Sequence, residues 1–107
     1  GEAIARQLAK NKIAVVMNGR RKDRLESLAQ ELSSMAPVHI AHFDICDKAQ
    51  VEKWFRENSS LASNVDILVN NAGLARGTDP IHKGELKDWD EMIDTNIKGL
   101  LYVSHQI

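Results

Sequence analysis

Residues 65–73, VDILVNNAG, constrain this chain more than any other stretch. Val65, Ile67, Leu68 and Val69 form an apolar run interrupted only by Asp66. The run is too short for a helix and rich in β-branched residues, so it reads as a strand buried on both faces of a parallel sheet. It ends abruptly in Asn70, Asn71, Ala72 and Gly73, a polar exit of low bulk. In open α/β sheets, ligands bind outside the carboxyl ends of the strands. A glycine there admits close approach of main chain to a ligand, and amides can hold neighbouring main chain. Asn and Gly are also ordinary turn residues, so these four positions alone are equally compatible with a plain turn.

The rest of the chain supplies the context. Ile4, Ala5, Leu8 and Ala9 recur at helical spacing over residues 1–10. Residues 13–17 form a β-branched apolar run that leaves through Asn18 and Gly19 into Arg20, Arg21 and Lys22. Asp23 and Glu26 have the spacing of a capping box for a helix running to about residue 34, with Leu25, Leu28, Ala29 and Leu32 facing the core. A strand follows over residues 38–43, and a helix over residues 48–58 buries Val51, Trp54 and Phe55. After residues 65–73 comes a polar loop to Gly84. The final helix, carrying Leu86, Trp89, Met92, Ile93, Ile97, Leu100 and Leu101, is interrupted near Asn96 and Gly99. The order α-β-α-β-α-β-α with short connections implies a parallel sheet with helices on both faces, joined by right-handed crossovers.

The 107 residues make one domain, spanning 1–107. With 14 basic and 15 acidic side chains the net charge is −1, which leaves no electrostatic footprint for nucleic acid or an anionic membrane. No apolar run approaches the length of a membrane span. The single cysteine, Cys46, has no internal disulfide partner and points to a reducing, cytoplasmic setting. Gly1 lies already inside a helical pattern and Ile107 ends in another, as in an excerpt from a longer protein.

Several residues at the strand exits suit a dinucleotide. Gly1, opening a helix rich in small residues, fits the last glycine of a dinucleotide fingerprint, where a helix N-terminus lies beneath a pyrophosphate. Arg20 and Arg21 stand where an NAD site places an acid for the ribose hydroxyls. Guanidinium groups there suit a 2′-phosphate through charge-assisted bonds, and a solvated basic turn is the competing reading. Asp44 closes the next strand. Its carboxylate can accept from an adenine amino group while the Ile45 N–H donates to a ring nitrogen, or it can close an Asx turn. Asn96 sits mid-helix, where its propensity is poor, so a local break there would free a carbonyl able to hold water; a polar position on a solvated face is the competing reading. His39 and His42 fall on opposite faces of their strand, His82 and His105 lack partners at ligand spacing, and no metal site is assigned.

Taken in order, the helix-opening glycine, GRR, FDI-C-D, DILVNNAG and DTNIKG resemble the N-terminal part of a short-chain dehydrogenase/reductase over all 107 residues. Residues 70–104 are most similar to the NADP-dependent 3-hydroxy acid dehydrogenases, which include enzymes acting on serine and allo-threonine. The resemblance implies an incomplete Rossmann-type doubly wound sheet, with its first strand and its C-terminal part outside this chain. It implies NADP as cofactor, bound at its 2′-phosphate by Arg20 and Arg21 and at its adenine by Asp44 and Ile45. Asn71, Ala72 and Gly73 would line the nicotinamide ribose. Asn96 would be the catalytic-tetrad asparagine whose helix break holds a relay water. The other tetrad members, a Ser and a Tyr-x-x-x-Lys pair, are absent: Tyr102 is followed at that spacing by Gln106. The implied activity is hydride transfer between NADP(H) and a small alcohol or carbonyl, in a homo-oligomer, a tetramer by family analogy. A non-catalytic NADP sensor is the alternative, and a Tyr-x-x-x-Lys downstream of Ile107 separates the two.

In the family's strand order the missing strand lies between residues 13–17 and 65–70, leaving two apolar strands with unpaired edges. The isolated 107-residue polypeptide is therefore expected to aggregate or to resemble a molten globule, and to lack dehydrogenase activity. A cooperative melt of a soluble monomer, or NADP reduction with serine by the purified polypeptide, would contradict this.

Overall fold

Ala5 and Ala9 determine how the chain begins. They are the buried positions of helix α1 (Glu2–Lys10), and their small side chains let the helix lie close to its neighbours. The computed structural model describes all of residues 1–107, and it divides into two compact units, Gly1–Asp44 and Ile45–Ile107.

In the first unit, α1 carries Glu2 in its first turn and Lys10 in its last, each complementing the helix dipole. It closes in a Schellman motif: Lys12 N–H donates to Ala9 O at 2.9 Å and Ile13 N–H to Leu8 O at 3.1 Å. Lys12 takes the left-handed position, with φ 63°, which glycine fills at lower cost. Strand β1 (Val15–Gly19) follows, then α2 (Lys22–Leu32), then β2 (Val38–His42). The strands pair in parallel from Val15 opposite Val38 to Gly19 opposite His42. Pairing starts one step earlier, where Val15 N–H donates to Pro37 O at 3.0 Å. Val15 and Met17 share a strand face with their partners Val38 and Ile40 and pack with Leu25, Leu28 and Leu32 of α2 and with Ala5 and Ala9 of α1. Outside this core, Arg6 grips Glu31 through two hydrogen bonds of 2.8 and 2.9 Å. The hydrogen bond from Arg6 holds the Glu31 carboxyl below its ordinary range. The pair's contribution is therefore complete above the pKa of an unfolded glutamate and is lost as the pH falls through the lowered folded value.

The capping box read at Asp23 is not formed. The backbone is already helical at Lys22, so the extended N-cap conformation (φ −99°, ψ 99°) belongs to Arg21, whose side chain makes no capping bond. Asp23 instead lies in the first turn, where its charge still favours the dipole. Glu26 pairs with Lys22 one turn back, at 3.7 Å.

In the second unit, α3 (Lys48–Glu57) starts at a working cap: Asp47 accepts from Gln50 N at 3.1 Å and from Gln50 Nε2 at 2.9 Å. It buries Val51 and Phe55, and the Trp54 ring meets Phe55 edge to face at 5.1 Å. A single turn, α4 (Ser59–Ala62), follows. The strand expected over residues 65–70 is absent as a strand. Residues 65–70 join no ladder, and the only sheet is two-stranded. A strand exists only as one side of a hydrogen-bonded pair, and β-branched composition cannot supply the other side. Ile67 and Val69 are 64% and 47% exposed, so the run that reads as doubly buried is not buried here. The expected interruption of the last helix is present: α5 (Leu86–Ile93) passes into a π-helical segment, Asp94–Gly99, before α6 (Leu100–Ser104). No helix is long and apolar enough to cross a membrane.

Two substitutions in the full-length protein check this packing. Leu32→Ala, at a side chain with no exposure, should lower stability by about 2–5 kcal/mol in denaturant melts. Lys12→Gly should raise it by up to about 1 kcal/mol, since it removes the left-handed strain at the end of α1.

Candidate functional site

Each unit carries its own part of the expected site. In the first, Gly1 is the exposed N-cap of α1, and its carbonyl accepts from Ala5 N–H at 3.0 Å. Parallel pairing brings the exits of β1 and β2 together, because strands running the same way end on the same side. Arg20 follows β1 directly, and its guanidinium, 74% exposed, has Nη1 3.8 Å from Asp44 Oδ2 beyond β2. Arg21 is exposed one residue further on, at the N-terminus of α2. Arg20 and Asp44, read separately from sequence, are thus neighbours. Two further side chains bond within this corner. Asn18 Nδ2 donates to Ala41 O and Phe43 O, at 2.9 and 3.2 Å, and His42 Nε2 lies 3.1 Å from Arg20 O. A carbonyl can only accept, so the His42 ring nitrogen is the donor.

In the second unit, Ile45 opens the turn into α3 and packs on Gly99. A Cβ on Gly99 would come within 2.8 Å of Ile45 Cγ1 and Cδ1 and 3.3 Å of Asp94 O. Cys46 Sγ lies 3.3 Å from Thr95 Oγ1. The turn carrying the Ile45 N–H therefore rests on the π-helical segment. Lys98 and Asp94 pair across the same segment at 2.8 Å, and this hydrogen bond raises the Lys98 pKa.

Asn96, in that segment, acts through its side chain. Its Oδ1 accepts from Leu74 N–H at 2.8 Å and its Nδ2 donates to Leu74 O at 2.7 Å. The amide thus pairs with one residue's main chain as a neighbouring strand would. Gly73 sits directly before it, where a Cβ would lie 3.3 Å from Asn96 Oδ1. Asn71 and Ala72 are held between this clamp and a turn in which Asn71 N–H donates to Val69 O at 3.0 Å. Asn70 Nδ2 donates to Ser104 Oγ at 3.1 Å. The loop beyond lies along α5: Arg76 N–H meets Met92 Sδ at 3.4 Å and its guanidinium pairs with Glu91. Gly84 lies under the Trp89 ring, where a Cβ would come within 2.5 Å of Cζ2.

Sequence reasoning did not identify Asn18, His42 or Gly99 as contributors. Nothing at Asn18 or His42 distinguishes them from solvated strand residues, and the contact between Gly99 and Ile45 spans residues far apart in the chain. An open groove of about 390 Å³ lined by Asp79, Ile81, Trp89, Met92 and Ile93 includes none of the expected site residues.

A short chain dehydrogenase family model matches residues 1–107, and the chain belongs to that family. It is 42% identical over 107 residues to the NADP-dependent 3-hydroxy acid dehydrogenase of Shigella flexneri, covering all of this chain and 42% of that protein. It is 46% identical, with the same coverage, to the serine 3-dehydrogenase of Agrobacterium fabrum. The closed form of a serine dehydrogenase complexed with NADP+ superposes with a TM-score of 0.89 at 42% identity, covering 98% of this chain and 42% of that one. The chain thus spans less than half the length of these curated relatives.

Because Gly99 and Ile45 leave no room for a further methyl group, Gly99→Ala should destabilise the full-length protein by about 1–3 kcal/mol. Adding Ile45→Ala should recover part of that loss. Chemical denaturation of the two single variants and the double variant measures the coupling, and strictly additive losses would contradict the contact.

Proposed function

We propose that the full-length protein is an NADP(H)-dependent oxidoreductase acting on a small alcohol or carbonyl, with a 3-hydroxy acid such as serine or allo-threonine as substrate. The observation that carries the cofactor reading is the exit of β1, where an exposed guanidinium follows the strand directly and the neighbouring strand exit supplies Asp44. That donor set fits a nucleotide with a 2′-phosphate. Arg20 and Arg21 offer planar, permanently charged donors to phosphate oxygens, and no carboxylate occupies residues 18–22 to repel them. The names of the relatives, which specify NADP, a 3-hydroxy acid and serine, support the same reading.

When bound, NADP would supply the hydride chemistry, and the residues of this chain would hold and orient it. Arg20 and Arg21 bind the 2′-phosphate. The Asp44 carboxylate accepts from the adenine amino group, and the Ile45 N–H donates to the ring. Gly1 places the N-terminus of α1 toward the pyrophosphate. Asn71, Ala72 and Gly73 line the nicotinamide ribose, on main chain that Asn96 pins at Leu74. Asn96 belongs to the family's proton-relay set, and the π-helical segment that holds it has its hydrogen bonding shifted from the α pattern. For the homo-oligomer, the exposed apolar side chains Ile93, Ile97 and Leu101 of the last helical region offer a face.

Replacing Arg20 and Arg21 together by Ala should weaken NADP binding by about ten- to a hundred-fold, the range for lost charge-assisted hydrogen bonds. NAD binding should change little. Calorimetric titration of both cofactors checks this, and equal affinity of the unmutated protein for NAD and NADP would refute the phosphate role. Asn96→Ala should lower kcat. If Asn96 acts mainly in the relay, NADP affinity stays near wild type, whereas a large loss of affinity would assign it chiefly to holding the main chain at Leu74.

A further inference from the structure

We propose that Ser104 is a positioning residue for the nicotinamide half of NADP, acting through Asn70. The inference rests on the reading of Asn71, Ala72 and Gly73 as the lining of the nicotinamide ribose. Those three residues are bracketed by side-chain hydrogen bonds to the last helical region. At one end Asn70 Nδ2 donates to Ser104 Oγ at 3.1 Å. At the other, the Asn96 amide takes both main-chain polar groups of Leu74, at 2.8 and 2.7 Å. Just before the bracketed stretch the chain turns, with Asn71 N–H donating to Val69 O at 3.0 Å. Residues 65–70 join no ladder that could carry the stretch from that side. Asn70 is therefore where the apolar run passes into the lining residues, and Ser104 is the group that holds it there.

The two anchors fit one another in length and in phase. Ser104 follows Asn96 by eight residues. At the α-helical rise that is about 12 Å, and extended chain from residue 70 to residue 74 reaches at most about 14 Å. The stretch therefore runs alongside the helical region from one anchor to the other. In an uninterrupted α-helix, residues eight apart point about 80° away from each other. Here the π-helical segment Asp94–Gly99 intervenes. Its i→i+5 turns take in more residues, so each residue advances by a smaller angle, and Ser104 comes round toward the face that carries Asn96. Asn70 is exposed and Ser104 half-buried, so water competes for both groups and their bond adds little to the stability of the fold. Its effect is on position. A binding segment needs its contact groups held by supporting bonds, and without Ser104 the stretch stays pinned at Leu74 while its other end swings.

The test uses the full-length protein and two ligands titrated calorimetrically: NADP, and adenosine 2′,5′-bisphosphate, which lacks the nicotinamide and its ribose. Ser104→Ala should weaken NADP by about three- to ten-fold, the range for one neutral hydrogen bond, and leave the bisphosphate within about twofold. Ser104→Thr keeps the hydroxyl and should return NADP affinity to near wild type. Asn70→Ala should match Ser104→Ala, and the double variant should be no weaker than either single one, since both remove the same bond. Equal weakening of both ligands, an unchanged ratio between them, or no rescue by threonine would overturn the proposal. If Asn70→Ala does not fold, the contrast between Ser104→Ala and Ser104→Thr decides the question. Ala72→Leu tests the underlying reading separately, because Ala72 is exposed and added bulk there obstructs the ribose without entering a core. An unchanged ratio in Ala72→Leu refutes the ribose reading itself. A collapsed ratio there, with Ser104→Ala behaving as wild type, refutes only the role of Ser104.

Discussion

The parallel pairing of β1 with β2 is the constraint on which the first unit depends. Because the two strands run the same way, Gly19 and His42 end side by side, and the residues after them must share one edge of the sheet. Antiparallel pairing of the same two strands would have sent Arg20 and Asp44 to opposite ends. The pairing is secured from beneath by apolar packing, where α1 contributes alanines and α2 contributes leucines to a face made by Val15, Met17, Val38 and Ile40. Burial of that face sets the register, since a slip of one residue would turn it to solvent. The charged corner above can then be polar and exposed without loss of fold.

In the second unit a side chain does the work that a strand does elsewhere. The Asn96 amide offers one donor and one acceptor, spaced like a peptide group, and both are used on Leu74. The segment after Asn70 has no ladder of its own, so this clamp, the Asn70–Ser104 bond and the Arg76–Glu91 pair give it its path. The clamp also bears on the glycine before it: a Cβ at residue 73 would lie 3.3 Å from the amide oxygen, a tight contact that would require Asn96 to shift by a few tenths of an ångström. The π-helical geometry at Asp94–Gly99 belongs to the same arrangement, since Thr95, Asn96 and Gly99 each meet a different part of the unit.

What could be read in advance followed the range of the forces involved. The leucine face of α2 and the break near Asn96 depend on residues a few positions apart, and their patterns are visible in the chain. Asp23 shows how narrowly such patterns can fail. Its spacing to Glu26 was right, but α2 began two residues too early for it to serve as the cap. Residues 65–70 failed for the opposite reason. Their composition suits a strand, but a ladder needs a second backbone, and no local signal reports whether one is present.

The sequence by itself determined the alternation of helices and strands as far as α3, the apolar faces of the first unit and the identities of the residues at the exits of β1 and β2, because hydrophobic period and residue chemistry are local properties. It also carried the family, through motifs whose order along the chain is specific. Only the tertiary structure decided that Arg20 faces Asp44, that Asn18 and His42 bond across the strand ends, that Ile45 rests on Gly99 and that Asn96 binds Leu74. Each of these joins residues more than twenty positions apart. Hydrogen bonds and van der Waals contacts act over a few ångströms of space, and separation along the chain says nothing about that distance until the backbone between is folded.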